Sequence, residues 1–245
     1  MQVAGLMGTG GGGDVGGPPP PSFTVNPIKF DGSNDYIRYG NQTHYGDKFT
    51  MACWFKRQST TAFDTFFSTN AGVNGTEIEF NGSTLRIQAY TWPGGATLGQ
   101  WVSSTSFNDT DWHHVRVAMD STNQLLEVYT DGTLESMSGS WSTTGNMDLY
   151  QFTWGVGTLE SNDYDGCLAE MWMDLAYYDN ATYPITGWIS GGEPVDLGAD
   201  GSNPTGAQPH TYLKDTATTC GTNYGSAADY NEIGTLTDCS TSPQN

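Results

Sequence analysis

Basic residues are scarce in this chain: 8 Lys and Arg stand against 27 Asp and Glu, a formal net charge of −19. Nucleic acids and anionic membranes are gripped by basic faces, so neither is expected as a partner. Long apolar runs are missing as well, and none approaches the roughly 18 residues that would span a bilayer. No window carries a sustained 3.6-residue apolar stripe, so helices are expected to be few and short. The opening MQVAGLMGTGGGGDVGG lacks the basic and apolar segments of a secretory leader. Without such a route the N-x-S/T sequons at Asn41, Asn74, Asn81, Asn108 and Asn180 carry no message. Cysteine is limited to 4 residues, with no C-x-x-C or Cys/His spacing for zinc. Neither a G-x-S-x-G elbow nor the Lys-Ser/Thr of a phosphate loop is present.

What the chain has in quantity is glycine, 32 residues, and aromatic rings, with 8 Trp, 13 Tyr and 10 Phe. Aromatic and β-branched side chains fit a half-buried pleated surface, and Gly with Asn and Asp fits the turns between strands. Period-2 alternation follows. Residues 49–57 place Met51, Cys53 and Phe55 on one face. Residues 112–119 place His113, Val115, Val117 and Met119 together, and 166–174 do the same for Cys167, Ala169, Met171 and Met173. Asn81-Gly82 and Asp131-Gly132 are hairpin turns between such runs. The expected class is all-β, an antiparallel two-sheet sandwich, with Trp54 and Trp112 buried between the sheets.

Three segments follow from composition. Residues 1–22 form an arm: Gly10, Gly11 and Gly12 make it flexible, and Pro18, Pro19 and Pro20 make it extended. Such an arm suits attachment inside an assembly. Residues 23–185 carry the sandwich. Residues 186–245 are rich in Gly, Pro, Asp and Thr, and read as a loop-rich extension whose one returning strand, at 210–214, completes the sandwich. Cys53 and Cys167 sit in apolar runs and read as small buried hydrophobes. Cys220 and Cys239 flank a Gly/Asn/Ala-rich loop that a disulfide would close in an oxidising setting; a cytoplasmic assembly route would leave them reduced.

FDGSNDYI at 30–37, FTMACWFKR at 49–57, DWHHVRVAMD at 111–120, LEVYTDG at 126–132 and DGCLAEMWMDLA at 165–176 together resemble the concanavalin A-like, laminin-G-like superfamily, including its pentraxins. The resemblance implies a jelly-roll sandwich and a binding or structural module, not an enzyme. The tail segments at 191–215 and 223–237 are similar to C-terminal extensions of such domains in tailed-bacteriophage proteins. They imply a virion protein, assembled in the host cytoplasm, that decorates capsid or tail and adheres to host-surface glycans. Residues 1–22 would hold it to other virion proteins, and a homo-oligomer is expected, a trimer among the options. The alternatives are a free calcium-dependent lectin and a degenerate glycoside hydrolase.

Each alternative names residues. The family's β-glucanases carry E-x-D-x-x-E on one strand, and the nearest match here is Glu77-Ile78-Glu79, without the third acid. Alternation would turn Ile78 and Phe80 to the core and leave Glu77 and Glu79 solvated. His113 and His114 are neighbours on a strand and point to opposite faces, so one is expected at a core edge and one on the surface. Calcium, which takes 6–8 oxygens, would need two Asp/Asn turns to meet: Asp31, Asn34 and Asp35 in one, Asn162, Asp163 and Asp165 in the other. Glycans would stack on exposed aromatic rings, of which Tyr90, Trp92 and Trp101 are the candidates.

Overall fold

Alternation decides the layers. In the computed structural model, which describes residues 23–40, 45–60, 63–69, 75–91, 95–149, 151–157 and 162–244, the strand Lys48–Arg57 turns Phe49, Met51, Cys53 and Phe55 into the central core. Its other side carries Ala52 and Trp54, which join separate clusters. Two eight-stranded antiparallel sheets stack over that core. The first runs, in spatial order, Thr133–Leu134, Leu125–Thr130, His113–Asp120, Lys48–Arg57, Asp165–Asp174, Ile28–Asp31 and Thr237–Asp238, with Thr211–Leu213 also paired to Asp165–Asp174. The second runs Met137–Trp141, Thr97–Ser106, Thr84–Tyr90, Glu77–Asn81, Phe63–Thr69, Phe152–Trp154, Tyr36–Arg38 and Asn231–Ile233. Helix among the described residues is confined to a 3-10 turn at Ile185–Gly187.

Aromatic rings fill the space between the sheets. Phe55 lies 5.1 Å from Phe80, 5.6 Å from Phe107 and 5.7 Å from Phe66, ring centre to ring centre. Full burial of one such side chain contributes about 1.5–3 kcal/mol, so this seam is the main source of cohesion. The large indoles of the inter-sheet core are Trp154 and Trp101. Trp54 is buried elsewhere, on the outer side of the first sheet among Val25, Ile185 and Ile189, with Trp112 half-buried beside it. The expectation that Trp54 and Trp112 lie between the sheets is therefore corrected: strand parity sends Trp54 outward, and residues from the extension cover it.

A second correction concerns Asp165–Asp174. Its pairing with Lys48–Arg57 shifts register between Ala169 and Trp172, and Glu170 there adopts φ 50°. An extra residue in one strand of an antiparallel pair is a β-bulge, and it reverses the parity of everything after it. Leu168, Met171 and Met173 face the central core, while Ala169 and Trp172 belong to the outer clusters. The unbroken face of Cys167, Ala169, Met171 and Met173 does not form.

The segment beyond residue 185 closes both sheets. Thr211–Leu213 pairs with Asp165–Asp174, Asn231–Ile233 with Tyr36–Arg38, and Thr237–Asp238 with Ile28–Asp31. The last pairing settles the cysteines. Lys29 stands opposite both Cys167 and Thr237, on its two sides, which brings Cys239 to Cys167, and these two form the disulfide. Cys220 is a free buried thiol, like Cys53. The Cys220–Cys239 pairing is thus replaced by Cys167–Cys239.

Candidate functional site

The two outer faces of the sandwich differ in chemistry. The first sheet's is covered by apolar side chains of the extension, including Trp188, Leu197 and Ile189. The second sheet's is polar. Along Thr84–Tyr90, Leu85, Ile87 and Ala89 are buried in the core, so Arg86, Gln88 and Tyr90 stand on the outer face. Pairing places Arg86 opposite Glu79, and Gln88 opposite both Glu77 and Gln100.

These side chains form one network. The Glu79 carboxylate accepts from Arg86 Nε at 2.7 Å and from Gln88 Nε2 at 2.9 Å on one oxygen, and from Thr65 Oγ1 at 3.4 Å on the other. The Tyr90 hydroxyl donates to Gln88 Oε1 at 3.1 Å. The Arg86 guanidinium lies 5.2 Å from the centre of the Phe63 ring, which is 46% exposed. Burial raises Glu79 above the usual carboxylate range, opposed by its bonds to Gln88 and Arg86. Tyr90 is raised by burial and by the charge of Glu77.

Glu77 and Glu79 were expected to be solvated; both are buried, Glu79 completely. The reason is cross-strand: Arg86 and Gln88 of the next strand lie over Glu79 and satisfy it. A retaining glycosidase holds two carboxyl groups about 5 Å apart across the scissile bond, one of them free to deliver a proton. Glu77 and Glu79 are side by side on one strand, and both oxygens of Glu79 are engaged. Glu79 serves here as an anchor that fixes Arg86 and Gln88. What those two can do is hydrogen-bond a ligand laid on the sheet.

The remaining candidates fall as follows. Trp101 is 4% exposed and packs edge-on against Trp141 at 4.6 Å, so it is a core residue and no stacking platform; its neighbour Gln100 takes the outward position. Trp92 and the arm residues Gly10, Gly11, Gly12, Pro18, Pro19 and Pro20 lie outside the described residues. Neither histidine is a free surface residue. His114 is buried against Trp54, and burial pushes it down to about 3, so it is neutral. His113 packs on Phe55 and Phe107 while its ring nitrogens meet Asp131 at 2.7 Å and Asp109 at 2.8 Å.

The two oxygen-rich turns do approach each other. Asp31 pairs in register with Asp165, and with Asp64, Asn162 and Asp163 they line an open bowl of about 480 Å³. Burial and the charges of Asp64 and Asp31 raise Asp165. Asp35 is turned away: its oxygens accept the backbone N–H groups of Thr235 at 2.6 Å and Asp31 at 3.1 Å. Asn34 is exposed. Among the described residues no three His, Cys, Asp or Glu side chains are gathered so as to hold a metal ion.

A family profile described as the Concanavalin A-like lectin/glucanases superfamily matches residues 31–174. The chain belongs to this superfamily. The match takes in the three middle segments of the resemblance and all but the ends of the first and last, and the two stacked antiparallel sheets are its fold. No curated protein matches the chain. A Bacteroides ovatus protein provisionally assigned to carbohydrate binding superposes with a TM-score of 0.60 at 15% identity, covering 89% of this chain and 60% of its own. The binding domain of botulinum neurotoxin serotype G gives 0.52 at 10% identity, covering 66% and 42%. A heptameric pentraxin from Limulus polyphemus gives 0.47 at 13% identity, covering 65% and 82%. The first two of these superpositions agree with the fold and carry nothing finer. Arg86 and Gln88 were not singled out from sequence, although the alternation in TLRIQAY at 84–90 carries the signal.

Proposed function

We propose that this concanavalin A-like chain is a glycan-binding module, and that the polar outer face of the second sheet is its binding surface. One observation carries the reading: Arg86, Gln88 and Tyr90 stand in a row at alternate positions, and buried Glu79 fixes the first two. Pre-set donors and acceptors on a rigid sheet recognise hydroxyl groups without the entropy loss of ordering them on binding. Tyr90, and Phe63 at the rim, offer ring faces to the apolar side of a sugar. The face binds and does not cleave, because Glu79 is committed to its partners.

The test is a glycan array of the full chain against an Arg86→Ala/Gln88→Ala variant, each with and without EDTA. Binding is expected to fall at least about tenfold in the variant, the loss that follows from roughly 1.4 kcal/mol. EDTA is expected to change nothing. An unchanged array in the variant refutes this face as the site, and loss of binding in EDTA restores the calcium-dependent reading.

The wider proposal is that a tailed-bacteriophage particle displays this module, held by residues 1–22. Support comes from the composition of the arm and from the similarity of the tail segments at 191–215 and 223–237. Repetition over a particle would turn a weak sugar contact into useful adhesion. Mass spectrometry of purified particles should find the chain, and deletion of residues 1–22 should abolish incorporation while leaving the melting temperature nearly unchanged. Normal incorporation of the truncated chain refutes the strap.

A further inference from the structure

A crevice of about 360 Å³ lies on the other side of the molecule, outside the first sheet. Trp54 and Lys56 of Lys48–Arg57 form its floor, Asp111 and Trp112 one wall, Gly192 and Glu193 a second, and residues 241–243 a third. The second wall is the tip of a hairpin in which Ile189–Ser190 pairs with Glu193–Pro194. Gly191 at φ 64° and Gly192 at φ 85° make that tip a tight left-handed turn, which presets the position of Glu193. The third wall follows Cys239, so the disulfide to Cys167 holds it against the sheet.

The lining is mixed in a definite way. Trp112 is half-buried, and its Nε1 donates to Thr241 Oγ1 at 3.2 Å, which fixes the ring. Lys56 is half-buried and forms no salt bridge among the described residues, in a chain where acids outnumber bases 27 to 8. Asp111 and Glu193 are exposed carboxylates on facing walls, likewise outside any described salt bridge. Ligand sites are concave, in the range of roughly 300–1,000 Å³, and combine aromatic walls with a few placed polar groups. An indole, one cationic donor and two anionic acceptors, with net negative charge, suit a molecule that is uncharged, rich in hydroxyls and apolar on one face. Acidic sugars would be repelled by the excess carboxylate.

We infer that this crevice is a second saccharide site, for a neutral hexopyranose, with Glu193, Asp111 and Lys56 hydrogen-bonding its hydroxyls and Trp112 carrying its ring. It deepens the glycan-binding reading but does not use the Arg86–Gln88 face, so the two can fail separately. The test is nitrogen–proton correlation NMR of the full chain titrated with methyl glycosides of glucose, galactose and mannose, following the Trp112 indole N–H. That signal is assigned by its loss in Trp112→Phe. The signal is expected to shift saturably in the wild type and equally in Arg86→Ala/Gln88→Ala. In Glu193→Gln, an exposed change that spares the fold, about tenfold more sugar should be needed, because a charge-assisted hydrogen bond becomes a neutral one. Lys56→Met gives a second, independent reading in the same direction. If no glycoside moves the Trp112 signal, or if Glu193→Gln titrates like the wild type, the crevice is not a sugar site. If Arg86→Ala/Gln88→Ala abolishes the shift, the crevice is refuted while the sheet face stands. A shift confined to the crevice, with an array indifferent to Arg86 and Gln88, upholds the inference and removes the sheet-face reading.

Discussion

The Tyr212 hydroxyl donates to Glu170 Oε2 at 2.5 Å, across the pairing of Asp165–Asp174 with Thr211–Leu213. Glu170 is 4% exposed and sits at the bulge. Burial raises its pKa to about 7, against the Tyr212 bond and Lys214, which pull down, and with Asp196, which pushes up. A carboxyl raised on folding supports the native state below its unfolded pKa, roughly 4.3, and that support is lost as pH rises through about 7. The cost at pH 8 is at most about 4 kcal/mol. Glu170→Gln keeps an acceptor for Tyr212 and removes the charge. It should melt higher than the wild type at pH 8, with the difference closing near pH 4.5. A gap independent of pH would show that Glu170 does not titrate on unfolding.

His113 also loses its contribution as pH rises, but here the folded state favours the charged form. Burial alone would lower it, but hydrogen bonds to Asp131 and Asp109 outweigh that and raise it to about 9. Its contribution is complete below the unfolded value, roughly 6.5, and disappears as pH rises through about 9. Imidazole NMR should find it still protonated at pH 8. His113→Asn should flatten the decline in stability between pH 7 and 10. A titration midpoint below 7 would show that the two carboxylates do not hold the charge.

How much of this could be read from residues alone follows the reach of each signal. The strand around FTMACWFKR was legible because alternation is local, and Met51, Cys53 and Phe55 face the core as expected. DGCLAEMWMD shows the same alternation, yet Glu170 inserts one residue and moves Trp172 outside; nothing in the letters marks a bulge at a glutamate. Burial of Glu79 depends on Arg86, which register brings opposite it, and on Gln88, which stands opposite Glu77; the Glu77–Asn81 strand encodes neither. Cys167 meets Cys239 only because Thr237–Asp238 pairs with Ile28–Asp31, a contact between chain ends far apart in sequence. The pairing of Asp31 with Asp165 was legible as a possibility, since both flank turn residues, but the inward turn of Asp35 was not.

The disulfide ties the end of the chain to the sheet across a separation of 72 residues. Chain entropy assigns a closure of that length about 4 kcal/mol. Cys239→Ser should lower urea stability by up to that amount and loosen residues 241–243, which wall the Trp112 crevice. Sugar titration of the Trp112 signal should weaken in Cys239→Ser, whereas binding at Arg86 and Gln88 should persist. Equal urea midpoints with and without reductant would show that strand pairing alone holds the tail.

The ion pair between Arg57 and Asp64 is buried on both sides, at 2.9 Å, with the side chains 1% and 2% exposed. The guanidinium also lies 4.3 Å from the Phe80 ring centre, within the aromatic seam. Burial raises Asp64, while its bond to Arg57 and the charge of Arg57 pull it back. Removing one partner of such a pair strands the other charge in a low-dielectric interior, a loss of about 3–5 kcal/mol. Replacing both with apolar residues of similar size restores much of that, because the desolvation of two ions is avoided. Asp64→Ala should therefore be strongly destabilising, and Arg57→Met/Asp64→Leu much less so, measured by urea unfolding as a double-mutant cycle. The comparison bears on the acidic bowl too, since Asp64 lines it beside Asp165. Asp64→Ala removes a charge that raises Asp165, so the Asp165 carboxyl should titrate lower in that variant if its fold persists. Additive single-residue effects would mean that Arg57 and Asp64 are satisfied by other groups and that their contact contributes little.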